Sequence, residues 1–79
     1  MELVKIYTTG WCLDCKTMVN FFNDHEIVYQ VLNVENDDIA FEHLKQICNG
    51  KKIVPTLEIG SKVMINPTIE SIGEVLLPH

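Results

Sequence analysis

Trp11-Cys12-Leu13-Asp14-Cys15-Lys16 is the stretch whose reading decides the fold. It follows the apolar run Leu3-Val4-Lys5-Ile6-Tyr7 and opens a segment with helical periodicity. A cysteine at the start of a helix faces unpaired backbone N–H groups and the positive end of the helix dipole. If Cys12 lies at the helix start, its thiolate is stabilised, and the thiolate is the form that attacks disulfides. Cys15 lies one turn later and can reach back to close a disulfide. The pattern therefore points to dithiol–disulfide exchange, with Cys12 as the exposed, attacking sulfur and Cys15 as the shielded, resolving one.

Working outward, residues 3–8 read as a buried strand that Thr9-Gly10 breaks. Residues 13–25 carry a helical stripe of Cys15, Met18, Val19 and Phe22. Ile27 to Val34 is rich in β-branched residues and reads as a second strand. Asn36-Asp37-Asp38 supplies a cap and first-turn acids for a helix that ends near Cys48, where Asn49-Gly50 fits the stop. Residues 52–59 and 62–65 read as strands joined by a tight turn at Gly60-Ser61. Asn66 is the expected N-cap of a last helix, with Pro67 at its first position and a stripe of Ile69, Ile72, Val75 and Leu76. The order is β-α-β-α-β-β-α. A parallel, right-handed first crossover and an antiparallel hairpin give an α/β fold: a four-stranded mixed sheet with helices on both faces.

A chain of 79 residues implies one domain over 1–79. With 47% hydrophobic residues in so short a chain, the core must be compact, and a substrate is expected on a surface groove. A net charge of −5 argues against nucleic acid and anionic membranes as partners. No apolar run approaches membrane-spanning length. Residues 1–8 read as a strand rather than a signal peptide, because Glu2 and Lys5 interrupt the apolar run. The expected location is cytoplasmic. Three cysteines is an odd count for a secreted disulfide scaffold, whereas C-x-x-C beside a βαβ pattern reads as a redox motif. No cofactor motif is present, so none is expected, and electrons must come from an external reductant.

The element order, with C-x-x-C on the first βα turn and Val54-Pro55-Thr56 before the third strand, resembles the thioredoxin fold. The length and the lack of an N-terminal βα extension resemble its glutaredoxin branch. Tyr7-Thr8-Thr9-Gly10-Trp11-Cys12 and Asn66-Pro67-Thr68 are most similar to the mycoredoxins, mycothiol-linked members of that branch. The resemblance implies a cis peptide bond before Pro55. It also implies that the Val54-Pro55-Thr56 loop lies against the cysteines and exposes the Val54 backbone to an extended substrate, as in strand addition. Trp11 would cover the thiol and contact partners. The implied substrate is a disulfide-containing protein or a mixed disulfide with a low-molecular-weight thiol. The implied reductant is an external thiol or a thioredoxin-reductase-like flavoprotein, and the protein is expected to act as a monomer. Thr9 stands where many glutathione-using members carry Lys. Those members carry a Gly-Gly pair and an acidic residue near Ile65 to Thr68, and here Asn66-Pro67 replaces the glycines. The partners of glutathione are thus partly missing.

A rival reading makes Cys12 and Cys15 ligands of a zinc ion or an iron–sulfur cluster, or leaves them unused in a redox adaptor. Zinc needs four ligands, so Cys48, His25 and His43 would have to converge from separate elements. Cys48 reads instead as a small core hydrophobe, and the two histidines as surface helix residues. Asp14 and Lys16 flank the thiols. The carboxylate opposes a thiolate at Cys12 and the ammonium favours it, unless both simply belong to a solvated helix start. Glu35, Asp37 and Asp38 read as a helix N-terminus.

Overall fold

Alternate side chains of the first strand point into two different cores. In the computed structural model, which describes residues 3–77, β1 (Val4–Thr8) is the inner strand between β2 (Tyr29–Asn33) and β3 (Thr56–Ile59). Val4 and Ile6 pack against Met18 and Phe22 of α1 (Leu13–Asp24) and Ile72 of α3 (Ile69–Leu76). Tyr7 packs on the opposite face, against Ala40 and Leu44 of α2 (Asp38–Ile47) and against Val34 and Cys48. A strand covered on both faces needs apolar residues at nearly every position, which is why residues 3–8 carry a run rather than an alternation. The hairpin is completed by β4 (Lys62–Ile65), giving the sheet order β2-β1-β3-β4. β1 is parallel to β2 and antiparallel to β3, and β3 is antiparallel to β4. The expected α/β architecture is therefore present. The ends of the expected 1–79 domain, including Glu2, lie outside the described residues. Among the described residues no helix is long and apolar enough to cross a membrane.

Several boundaries differ from the sequence reading. Asn66 is not the N-cap of the last helix, and Pro67 is not its first residue. Thr68 is the cap, its side chain accepting from the Ser71 N–H at 3.1 Å. Asn66 adopts a positive φ of 48° and donates its N–H to the Pro55 carbonyl at 2.9 Å. Asn tolerates that left-handed conformation better than most residues, so it makes the turn and leaves capping to the next hydroxyl. Within the expected stripe of this helix Ile72 is buried, whereas Val75 is 38% exposed. The third strand begins at Thr56 rather than residue 52, because Pro55 has no N–H for a ladder. Asp37 caps α2 through a 3.0 Å bond from the Ala40 N–H. Asn49 and Gly50, both at positive φ, close its end as expected.

The second strand is shorter than expected because Ile27 belongs to the end of α1. Its N–H bonds the Phe22 carbonyl at 2.8 Å, and the Glu26 N–H bonds Asn23 at 3.3 Å. This is a Schellman closure with Glu26, at φ 56°, in the left-handed position. On the α2 face, Glu58 accepts from the Tyr7 hydroxyl at 2.9 Å and lies 3.2 Å from His43 Nε2. Burial pushes the Glu58 carboxyl up, but the bonds from His43 and Tyr7 outweigh it and hold the group below its usual range. Burial, aided by the Glu58 charge, pushes the Tyr7 phenol up. Cys48 is buried as expected, with its sulfur 3.7 Å from the Thr56 hydroxyl.

Glu26 generates a direct test. A non-glycine residue in the left-handed region costs about 1 kcal/mol or more, and glycine carries no such cost. Glu26→Gly is expected to raise the unfolding free energy by roughly 0.5–1 kcal/mol in chemical denaturation. A destabilised variant would mean that the Glu26 side chain contributes more than its backbone costs.

Candidate functional site

The site forms where β1 ends and α1 begins. Thr8 is the last strand residue, and Thr9, Gly10 and Trp11 carry the chain to Cys12, the N-cap of α1. The Cys12 N–H bonds the Thr9 carbonyl at 3.4 Å, which turns the chain into the helix. Cys12 Sγ then accepts a hydrogen bond from the Cys15 N–H at 3.1 Å. A sulfur thus takes the place usually held by a Ser or Asp oxygen at an N-cap. The two cysteines are joined as a disulfide, with Cα atoms 5.3 Å apart. In this oxidised form both are buried, Cys12 at 6% and Cys15 at 3% exposure. The expected contrast between an exposed and a shielded sulfur is small in this form.

Asp14 and Lys16 border different grooves. Lys16 borders a groove of about 400 Å³ that runs past both cysteines to Val19, Val31 and Asn33. Asp14 borders a smaller groove of about 270 Å³ shared with Asn66, Pro67 and Thr68. A larger cavity of about 790 Å³, lined by Leu3, Val28 and Leu77 among others, lies at the opposite end of β1, away from the chemistry.

The Val54–Pro55 peptide bond is cis, and Pro55 is buried. The register Tyr7↔Thr56 sets Pro55 across from the end of β1, so the proline loop and the cysteine pair occupy the same end of the sheet. Val54 makes none of the backbone turn hydrogen bonds found among the described residues. Trp11 is 67% exposed, and its indole is tied down: Nε1 donates to Glu35 Oε2 at 3.1 Å.

Glu35 is the residue that the sequence reading misplaced. It precedes the Asp37 cap and plays no part in it. Its carboxylate accepts the Gly10 N–H at 3.0 Å as well as the indole N–H. The Gly10 bond holds the carboxyl below its usual range against the opposing effect of desolvation, and Trp11 and Lys52 add to it. The signal was the parallel register. Thr8 pairs with Asn33, so continuing the two strands brings position 35 opposite position 10. Among the described residues no group of three or more His, Cys, Asp or Glu side chains is placed to hold a metal ion. Cys48, His25 and His43 therefore do not gather around the cysteine pair, and a metal held there would need ligands from outside this set.

Comparison with known proteins agrees with this geometry. The family model for glutaredoxin matches residues 4–64. Mycoredoxin 1 of Corynebacterium glutamicum is 35% identical over 57 residues, 72% of this chain and 70% of that protein. Among solved structures, the thioredoxin-like protein BC3987 superposes with a TM-score of 0.84 at 23% identity, over 92% of this chain and 99% of that one. A glutaredoxin from Archaeoglobus fulgidus gives 0.78 at 18% identity, over 99% and 89%. These two structural likenesses speak to the fold.

Thr9 supplies a test of the packing beside the sulfur pair. It is 5% exposed, and its hydroxyl has no hydrogen-bond partner among the described residues. An unpaired buried hydroxyl costs roughly 1–3 kcal/mol. Thr9→Val keeps the shape and removes the hydroxyl, and is expected to stabilise the oxidised protein by about 1 kcal/mol in denaturant titration. A loss of stability would show that the hydroxyl is engaged.

Proposed function

The chain belongs to the glutaredoxin family, and from that premise we propose that it is a dithiol–disulfide oxidoreductase that reduces protein disulfides, or mixed disulfides with a small thiol, through Cys12 and Cys15. Thiol–disulfide oxidoreduction is the activity of the family. The dithiol route and the roles of the two sulfurs are the proposal. One observation carries it: the Cys15 N–H points at Cys12 Sγ from the first turn of a helix. In the reduced protein that donor and the helix dipole stabilise negative charge on Cys12.

The cycle follows from these positions. The Cys12 thiolate attacks one sulfur of the substrate disulfide. That S–S bond breaks, the first substrate thiolate leaves and takes up a proton, and a mixed disulfide forms at Cys12. Cys15 loses its proton and attacks Cys12 Sγ. The second substrate thiolate is released, and the Cys12–Cys15 disulfide forms. An external thiol or flavoprotein returns two electrons and two protons and regenerates the dithiol. With a mixed disulfide to a small thiol, Cys12 alone suffices.

The substrate surface we assign is Trp11 together with the Val54 backbone; Pro55 and Thr56, expected to contact substrate, are buried, with the Thr56 hydroxyl donating to the Ile53 carbonyl, so they shape the loop from within. The Val54 backbone is free to pair with an extended segment, and the exposed indole offers apolar area one residue before Cys12. Asp14 and Lys16 are assigned to tune the thiolate with opposite charges. The proposed setting is the cytoplasm, with the protein acting as a monomer.

Two outcomes are expected. Cys15→Ser should trap a mixed disulfide at Cys12, visible as a mass adduct, while Cys12→Ser should abolish exchange. Loss of activity in both variants without any adduct would contradict the sequential route. Glutathione should serve as a poorer reductant than another small thiol or a protein reductant, since Thr9 and Asn66-Pro67 replace family contacts and the Asn66 N–H is already committed to the Pro55 carbonyl. Steady-state rates with glutathione equal to those with every other donor would contradict that preference.

A further inference from the structure

Glu35 has no role in the cycle above, yet it bonds the loop that leads to Cys12. Its carboxylate makes two bonds to the three-residue loop that delivers Cys12, one to the Gly10 amide and one to the Trp11 indole. The backbone that carries this exposed carboxylate is itself held. Asn33 Oδ1 accepts the Glu35 N–H at 2.9 Å, and the Val34 N–H bonds the Thr8 carbonyl at 3.0 Å. The brace therefore reaches from the end of β2 to the residue adjoining the attacking sulfur. The charge of Lys52, which shortly precedes the Val54–Pro55 loop, also acts on Glu35.

An exposed tryptophan with both side-chain torsions free would have to be ordered whenever a partner covers it, and that ordering weakens binding. The Glu35 bond removes the freedom in advance. A fixed indole presents a rigid apolar face whose contact area is available at little entropic cost.

Resting on the disulfide-exchange reading above, we propose that Glu35 is a positioning residue that sets substrate preference: by pinning the Trp11 indole beside Cys12 it favours peptide disulfides that carry an apolar side chain next to the half-cystine over small hydrophilic disulfides. Glu35 touches neither substrate nor sulfur. It acts through Trp11, so its removal changes discrimination more than chemistry.

Trp11 is the sole tryptophan of the chain, so its emission reports the brace without any turnover. The experiment compares wild type, Glu35→Ala and Glu35→Gln by steady-state anisotropy and acrylamide quenching of the indole. The same three proteins are assayed with a peptide disulfide bearing Leu or Phe beside the half-cystine and with bis(2-hydroxyethyl) disulfide. Glu35→Ala should lower the anisotropy and increase quenching. It should reduce the peptide-to-small-disulfide ratio of kcat/KM by about threefold to tenfold, the loss carried by KM for the peptide. Glu35→Gln keeps one acceptor oxygen and should fall between the two, which keeps the test informative if the alanine variant does not fold. Unchanged anisotropy, or equal losses on both substrates, would overturn the proposal. If wild type reduces neither disulfide while the indole still responds to Glu35, the failure lies in the exchange reading, and the proposed preference falls with it. If wild type is active and all three proteins share one ratio, the exchange reading stands and the role of Glu35 is refuted.

Discussion

The hydrogen bond from the Cys15 amide to Cys12 Sγ, at 3.1 Å, is the contact on which the rest of the site depends. It exists because Cys12 is the N-cap of α1, and Cys12 is the cap because β1 ends at Thr8 and the Thr9 carbonyl turns the chain toward the helix. A buried strand, a short turn and a helix start thus aim the Cys15 N–H at one sulfur and leave the other first-turn amides at the same helix end. Ser or Asp at that position would use the same donors to stabilise the helix. In the proposed cycle cysteine uses them to favour the charged state of a nucleophile.

The sheet holds this arrangement from both sides. Phe22 and Met18 anchor the buried side of α1 against Ile6 and Leu57, so the helix start cannot drift relative to the strand that feeds it. On the α2 face two carboxylates tie neighbouring elements together by different means. Glu58 gathers Tyr7 and His43 beneath the helix, in a partly buried setting where unpaired charge would be costly. Glu35 works in the open, bracing the Gly10–Trp11 loop from the end of β2. Both carboxyls are held below their usual range by the groups that donate to them. Their stabilising contributions are complete above the ordinary carboxylate pKa of 4.5 and are lost as the pH falls through the lowered values.

Much of this was legible in the chain because the decisive signals are local. The β1 run, the C-x-x-C spacing, the acids before α2, Asn49-Gly50 and Gly60-Ser61 each act within a few residues, and the elements formed where they pointed. The misses have two physical sources. Residues in left-handed conformations without glycine, Glu26 and Asn66, look ordinary in sequence, yet they ended α1 and shifted the cap of α3 to Thr68. Long-range partners are silent in sequence unless the strand register is used. Glu35 was read as part of a helix start because its acidic neighbours are, and only the Thr8↔Asn33 pairing reveals that it faces Gly10. Likewise His43 keeps its helix-surface position, but its contact with Glu58 depends on how α2 lies across β3.

The central claim is that the helix start makes Cys12 a thiolate near neutral pH. Titrating thiolate absorbance of the reduced protein, with Cys15→Ser and Cys48→Ser to isolate Cys12, measures it directly. The account predicts a thiol pKa at least about one unit below the ordinary cysteine value of about 8.5. A value at or above that reference would contradict it.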